Sequence, residues 1–297
     1  MKHTIFFLLT LALCWGCISD REPDARSKVT VELTVRPDPM TTTTRTTDEA
    51  AIRDLNFYLI DRKGAVVLYR YLTATTLRFE CLPGDYLVRI AANVGRSLGE
   101  TADLFQYKVT YQEHYNMLPM FCEQKTTISL SSDGVVQLPP ITVKRVVSKI
   151  SYNLTAKPAD LELKSVQLIS IPRTAVVFAP DGTAADNPDD YTDSPETTLT
   201  GQRAAGSYYM LPNRQGVNTS ITDQKQKNAD NAPACASWLL IRATRGSKVL
   251  AYSVYLGENN TSDFNVRANC HYRLNITLLN DNTADTRIAA YTAAVYD

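Results

Sequence analysis

Glycine is scarce in this chain, at 12 of 297 residues, and there are only 3 histidines. A Gly-rich phosphate-binding fold is therefore disfavoured. Neither charge is in excess. Thirty-one Lys+Arg balance 31 Asp+Glu, so there is no electrostatic footprint for nucleic acid and nothing that favours an acidic substrate. Among the four cysteines past the leader no C-x-x-C pair occurs, which removes the usual zinc signature. No apolar run approaches the ~20 residues of a membrane-spanning helix. What the chain does have is 44% hydrophobic residues, 16 tyrosines and abundant threonine. This composition buries a core and suits half-buried strands. The length accommodates about two domains, and no cofactor or metal is expected.

The first 16 residues read as a secretory leader. Lys2 and His3 form a short positive start, Ile5 to Leu13 is the apolar centre, and Gly16 precedes Cys17. A small residue before a cysteine is the pattern of a bacterial lipoprotein signal, so Cys17 is the expected lipidation site, although Cys14 stands where an aliphatic residue is usual. Several acyl chains would anchor the protein stably, since each buried CH₂ contributes about 0.8 kcal/mol. The acidic run Ser19 to Asp24 resembles the export tag behind the lipid cysteine of Bacteroidetes surface lipoproteins.

From Val29 the chain reads as one short strand after another. Val29, Val31, Leu33 and Val35 alternate with Thr30, Glu32, Thr34 and Arg36, the period of a half-buried strand. Pro37 and Pro39 stop it, and a Thr-rich tether containing Arg45 follows. Asp48 to Ala51 is expected to form a helical or irregular turn. Leu55 to Ile60 and Ala65 to Leu72 read as a hairpin across Asp61-Arg62-Lys63-Gly64. Leu77 to Cys81 alternates up to the turn Pro83-Gly84. Residues 100–117 lack alternation and are expected to hold the one helix of this half. Pro139-Pro140 is expected to mark a domain boundary. Beyond it, strands are expected at 141–154, Leu161 to Ile171, Ser237 to Thr244, Lys248 to Leu256 and Cys270 to Leu279, with polar loops at 180–206 and 218–233. About a dozen short strands with few helices indicate two all-β sandwiches in tandem. The expected organisation is a signal peptide (1–16), an anchor with first strand and tether (17–46), and sandwiches at 47–140 and 141–297.

Candidate chemistry is thin. Gly95-Arg96-Ser97-Leu98-Gly99 matches the nucleophile elbow G-x-S-x-G. That elbow belongs on an α/β sheet, and this chain shows no strand–helix alternation. Past the leader only His114 and His271 remain. Asp181, Asp186, Asp189, Asp190 and Asp193 crowd one loop, where oxygen ligands would suit Ca²⁺, but their spacing fits no EF-hand. Cys81, Cys122, Cys235 and Cys270 allow three disulfide pairings that sequence cannot rank; buried free thiols are the simpler expectation. Four N-x-S/T sequons are chance matches in a Thr-rich bacterial chain. No enzyme is expected.

Several stretches together carry a resemblance. They are IRDLNFYLIDRKGAVV (52–67), LPGDYLVRIAANVG (82–95), VKRVVSKISYNL (143–154), YYMLPNRQG (208–216) and VYLGENNTSDFNVRANCHYRLNITL (254–278). With the leader, they resemble the fimbrillin-type lipoproteins of Bacteroidetes bacteria, the type V pilus subunits and their anchor and minor relatives. A usual Arg-Asn pair is here Arg267-Ala268-Asn269.

The resemblance implies two transthyretin-like β-sandwich domains, a surface-exposed outer-membrane lipoprotein and a place in a fimbrium that serves adhesion. It also implies assembly by strand exchange. A protease cuts behind the first strand, and the groove that strand leaves takes a strand from a neighbouring subunit, a form of β-augmentation. On this chain the displaceable strand would carry Val29, Val31, Leu33 and Val35. The cut would fall between Arg45 and Thr46, or else after Arg36. The donor would be the tail with Ala289, Tyr291, Ala293 and Val295. Expected partners are other fimbrial subunits, the outer membrane through the lipid, and a host or bacterial surface ligand. The alternative is a monomeric glycan- or ligand-binding surface lipoprotein.

Overall fold

The structure is a computed structural model that describes residues 27–38, 49–100, 103, 106–132, 134–182, 184–279 and 286–295. The first half contains β1 (Val29–Pro37), β2 (Leu55–Ile60), β3 (Val66–Leu72), β4 (Thr76–Cys81), β5 (Gly84–Ala92), β6 (Lys108–Thr110), β7 (Met120–Ile128), β8 (Val135–Gln137) and β9 (Ile141–Arg145). One layer runs β3-β2-β5-β7. The opposing layer is built from β4, β1, β8 and β9, and β9 also pairs with β7, closing one corner. The expected hairpin forms at β2–β3. Asp61 accepts backbone N–H bonds from Lys63 and Ala65, and Gly64 supplies the positive φ of +83° that the tight turn requires.

The second half contains β10 (Ser148–Ala156), β11 (Leu161–Ile169), β12 (Ile171–Pro172), β13 (Thr174–Val176), β14 (Tyr191–Thr192), β15 (Thr197–Thr198), β16 (Arg203–Met210), β17 (Asn213–Val217), β18 (Trp238–Arg245), β19 (Lys248–Tyr255), β20 (Asp263–Val266), β21 (Cys270–Leu278) and β22 (Thr286–Val295). The four-stranded sheets β16-β10-β21-β22 and β15-β11-β18-β19 enclose a core that includes Ile150, Leu163, Ile241, Tyr252, Tyr272 and Leu274. The architecture is all-β: two sandwiches, each with inward apolar residues spaced two apart.

Two expectations are corrected. Residues 100–117 form no helix where described; they contribute β6, which pairs with β13 across the two halves, Val109 opposite Ala175. Tyr107, Val109 and Tyr111 pack on the junction between the sandwiches. Their period of two is strand patterning interrupted by polar residues. Among the described residues the only helical turns are the 3₁₀ pieces Pro188–Asp190 and Gln224–Gln226. Second, the chain does not change sandwich at Pro139-Pro140. β9 follows these prolines and still pairs with β1 and β7, with Ile141 and Val143 in the first core. The prolines separate β8 from β9, and the crossing comes at Val146-Val147, two fully or nearly fully buried residues of the junction cluster.

Candidate functional site

β1 occupies the middle of its layer. On one side it pairs antiparallel with β4, Val31 opposite Phe79 and Leu33 opposite Leu77. On the other it runs parallel to β8, with Thr30 opposite Val135, and then to β9, with Val35 opposite Ile141. The four alternating apolar residues all point inward; Val29, Val31, Leu33 and Val35 are 2%, 0%, 4% and 2% exposed. They pack into the cluster that holds Leu55, Phe57, Phe79, Val88 and Ile90. The outward face is polar. Glu32 pairs with Arg78 at 3.0 Å and accepts a hydrogen bond from Gln137. Removing β1 would leave β4 on one side and β8–β9 on the other with unpaired backbone groups, above an open apolar groove.

The end of β1 is held by a buried polar cluster for which the sequence carried no signal. Asp38 (5% exposed) accepts a 2.6 Å bond on Oδ2 from the Asn269 side-chain amide, 231 residues away. Arg145 donates from Nη1 to the Asp38 carbonyl at 3.3 Å, and from Nε to the Glu49 carbonyl at 3.0 Å. The Glu49 carboxylate in turn pairs with Lys149 at 2.6 Å. No local spacing relates these residues; only the packing of the two sandwiches brings them together.

The tail forms β22, the edge strand beside β21. Its register sets Tyr291 opposite Leu274, Ala293 opposite Tyr272 and Val295 opposite Cys270. A bulge between Asn275 and Ile276 leaves Ala289 without a pairing partner and brings Ile288 opposite Ile276. Cys17, Arg45 and Thr46 lie outside the described residues.

The remaining candidates serve the scaffold. The Ser97 hydroxyl lies 2.6 Å from that of Tyr69, and Tyr69 also donates to Asn56 at 2.8 Å, so Ser97 closes the turn after β5. His114 is exposed and lies 3.2 Å from the carboxylate of its neighbour Glu113. His271 lies 2.7 Å from Ser151; burial, assisted by Arg273 and Lys149, lowers its pKa to about 4. The Asp loop does not converge on a point. Asp181 accepts from the Ala268 N–H, Asp193 accepts from the Ser170 N–H, and Asp189 and Asp190 lie in a 3₁₀ turn. Among the described residues no group of three or more His, Cys, Asp or Glu side chains is placed to hold a metal ion. The four cysteines are buried free thiols. Burial pushes those of Cys81, Cys122 and Cys270 up to about 11.

One open groove of about 740 Å³ lies on the second sandwich. Half-buried Trp238 and Ile169 line it together with Gln167, Thr192, Asp193 and Arg173.

Two comparisons bear on this architecture. The tip fimbrial protein Mfa3 from Porphyromonas gingivalis, with a C-terminal truncation, superposes with a TM-score of 0.64 over 91% of this chain and 100% of its own, at 16% identity. A fimbrilin from Porphyromonas gingivalis W83 superposes with a TM-score of 0.58 over 86% of this chain and 92% of its own, at 14% identity. The chain has the fimbrillin fold. Within that fold, residues 208–276 match a domain of unknown function, DUF4906, a stretch from the end of β16 into β21. No curated protein matches the chain.

Proposed function

We propose that this fimbrillin-fold protein is a structural subunit of a cell-surface fimbrium, reaching the outer membrane as a lipoprotein acylated on Cys17 and joining its neighbours by strand exchange. β1 is the displaceable strand, and cleavage between Arg45 and Thr46 frees it from the body. A strand of another subunit, with the β22 tail as the candidate donor, then fills the groove between β4 and β8–β9. The protein works as a polymer component in adhesion and not as an enzyme.

The observation that supports this reading most is the seat of β1. A central strand supplies four core residues, yet its covalent connection to the rest of its sandwich runs through the segment that carries Arg45. Its departure leaves both sheet edges and the apolar floor ready to accept another chain. To test this, the lipid-free precursor would be treated with an arginine-specific protease. The expected products have Thr46 as N-terminus and form SDS-resistant ladders. A cut chain that stays monomeric at high concentration refutes assembly by strand exchange. Mass spectrometry of the native N-terminus separates an anchor, which keeps acylated Cys17, from a polymerised subunit that begins at Thr46.

The Trp238 groove favours a second reading, in which the chain binds a saccharide or similar small surface ligand as an intact monomer. That reading predicts saturable binding to a glycan array that Trp238→Ala abolishes without changing the unfolding temperature by more than a few degrees. An array without Trp238-dependent binding removes it.

A further inference from the structure

We propose that Asp38, Arg145 and Asn269 form a latch that keeps β1 in its seat after the tether behind it is cut, so that cleavage and strand release are two separate steps. The inference rests on β1 being displaceable, as proposed above.

Asp38 is the first residue after β1 and would leave with it. It is held at three points. Its N–H donates to the Val143 carbonyl at 2.9 Å, its carbonyl accepts from Arg145, and its carboxylate accepts from Asn269. Arg145 and Asn269 stay with the body and brace each other. The Arg145 backbone N–H donates to Asn269 Oδ1 at 3.0 Å, and the Asn269 N–H donates to the Val147 carbonyl at 3.1 Å. Asn269 itself sits at φ +55°, a left-handed turn position that asparagine tolerates better than other side chains. All three latch side chains belong to residues at most 5% exposed, so water competes poorly for their hydrogen bonds.

The position of the latch relative to the tether is what separates the two steps. In sequence, residues 39–48 link Asp38 to Glu49, and the one Arg145 guanidinium bonds the backbone carbonyls of both flanks. Hydrolysis of any peptide bond between those flanks breaks none of these contacts and none of the β1 ladder. The severed strand therefore stays docked by its pairing, its four core side chains and the latch. Because Asn269 belongs to the turn between β20 and β21, the second sandwich contributes directly to retaining a strand of the first.

The latch can be weakened without touching β1 pairing. Asn269→Gly removes the side chain and accepts the positive φ; Asp38→Ala removes the carboxylate from the other side. In the full chain, residues 41–46 would be replaced by a site for a sequence-specific protease, so that only the tether is cut. Retention of the N-terminal fragment is then followed by size exclusion and mass spectrometry. A charge-assisted hydrogen bond of about 1.5–3 kcal/mol corresponds to fragment loss about 10- to 140-fold faster in either variant than in the cut wild type. Melting curves of the uncut variants separate this effect from misfolding, and either variant suffices if the other fails to fold.

Loss at the wild-type rate in both folded variants overturns the latch. So does a wild-type fragment that departs as soon as the tether is cut. A fragment retained indefinitely in all three chains, even against excess peptide spanning Lys28–Asp38, overturns displaceability itself and the latch with it.

Discussion

A chain that begins at Thr46 lacks β1, and the consequence for its first sandwich can be sized. Val29, Val31, Leu33 and Val35 are each almost fully buried. Burial of a Val or Leu side chain contributes about 1.5–3 kcal/mol, so the four together represent about 6–12 kcal/mol. The whole stability of a folded domain is about 5–15 kcal/mol. The loss is thus comparable with the total, before the unpaired edges of β4 and β8–β9 are considered. In calorimetry the Thr46 chain is expected to lose the cooperative transition of its first sandwich and keep that of the second. It should also bind a dye for exposed apolar surface. Adding the peptide Lys28–Asp38 in trans should restore the transition, and the same peptide with Leu33→Asp should not, since a carboxylate would enter the dry groove. A Thr46 chain that melts within a few degrees of the chain beginning at Cys17 would refute the claim that β1 completes this core.

Four shorter tests follow. A Cβ at Gly257, where φ is +151°, would lie 1.8 Å from the Asp263 carbonyl oxygen; Gly257→Ala is expected to cost more than about 3 kcal/mol in denaturant unfolding, through backbone strain and displacement of β20. Burial lowers the pKa of Lys227 to about 7, partly offset by Asp263, so between pH 7 and 10 the unfolded chain holds the extra proton and stability rises with pH. Lys227→Met should flatten that rise by up to about 1.4 kcal/mol per pH unit in urea titrations at pH 7.5, 8.5 and 9.5. Ser97→Ala should cost about 0.5–1.5 kcal/mol through its Tyr69 hydrogen bond and alter no esterase signal; loss of a genuine activity would contradict the scaffold role. Cys81, Cys122, Cys235 and Cys270 should resist iodoacetamide at pH 8 in the native protein and react in full in guanidinium, as mass spectrometry would read out.

Much of the fold could be read from alternation alone. β1 is correct to within a residue, because Val29 to Val35 alternate without error and Pro37 follows. β4 is equally plain, with exposed and buried residues in strict turn, and β21 alternates in the same way from Tyr272 onward. Periodicity misled where strands are short and serve the junction. β6 has three residues, so the alternation of Tyr107, Val109 and Tyr111 is too brief to stand out from its polar surroundings, and the prolines before β9 resemble a linker although that strand belongs to the first sandwich. In the tail the unpaired Ala289 shifts the pairing by one residue, so Ile288, and not Ala289, falls in register with Tyr291, Ala293 and Val295.

The candidate site was half legible. The inward face of β1 follows from sequence, but its seat does not, since that requires knowing which strands flank it. The cluster of Asp38, Arg145 and Asn269 could not be read at all. An aspartate after a proline, an arginine ending a strand and an asparagine in a turn are each ordinary, and their conjunction exists only once both sandwiches have formed.

The neighbours of β1 also set a timetable. Its β4 side closes over a short stretch of chain, whereas its β8 side joins groups 105 residues apart, as Glu32 and Gln137 show. Closing so long a loop costs little extra free energy but is slow to search. The strand that leaves the ribosome first is thus expected to find its place last, and Val31→Ala should speed unfolding while leaving the refolding rate nearly unchanged. The last step to the native state is then the docking of β1 into a first sandwich that stays loosely formed until that strand arrives.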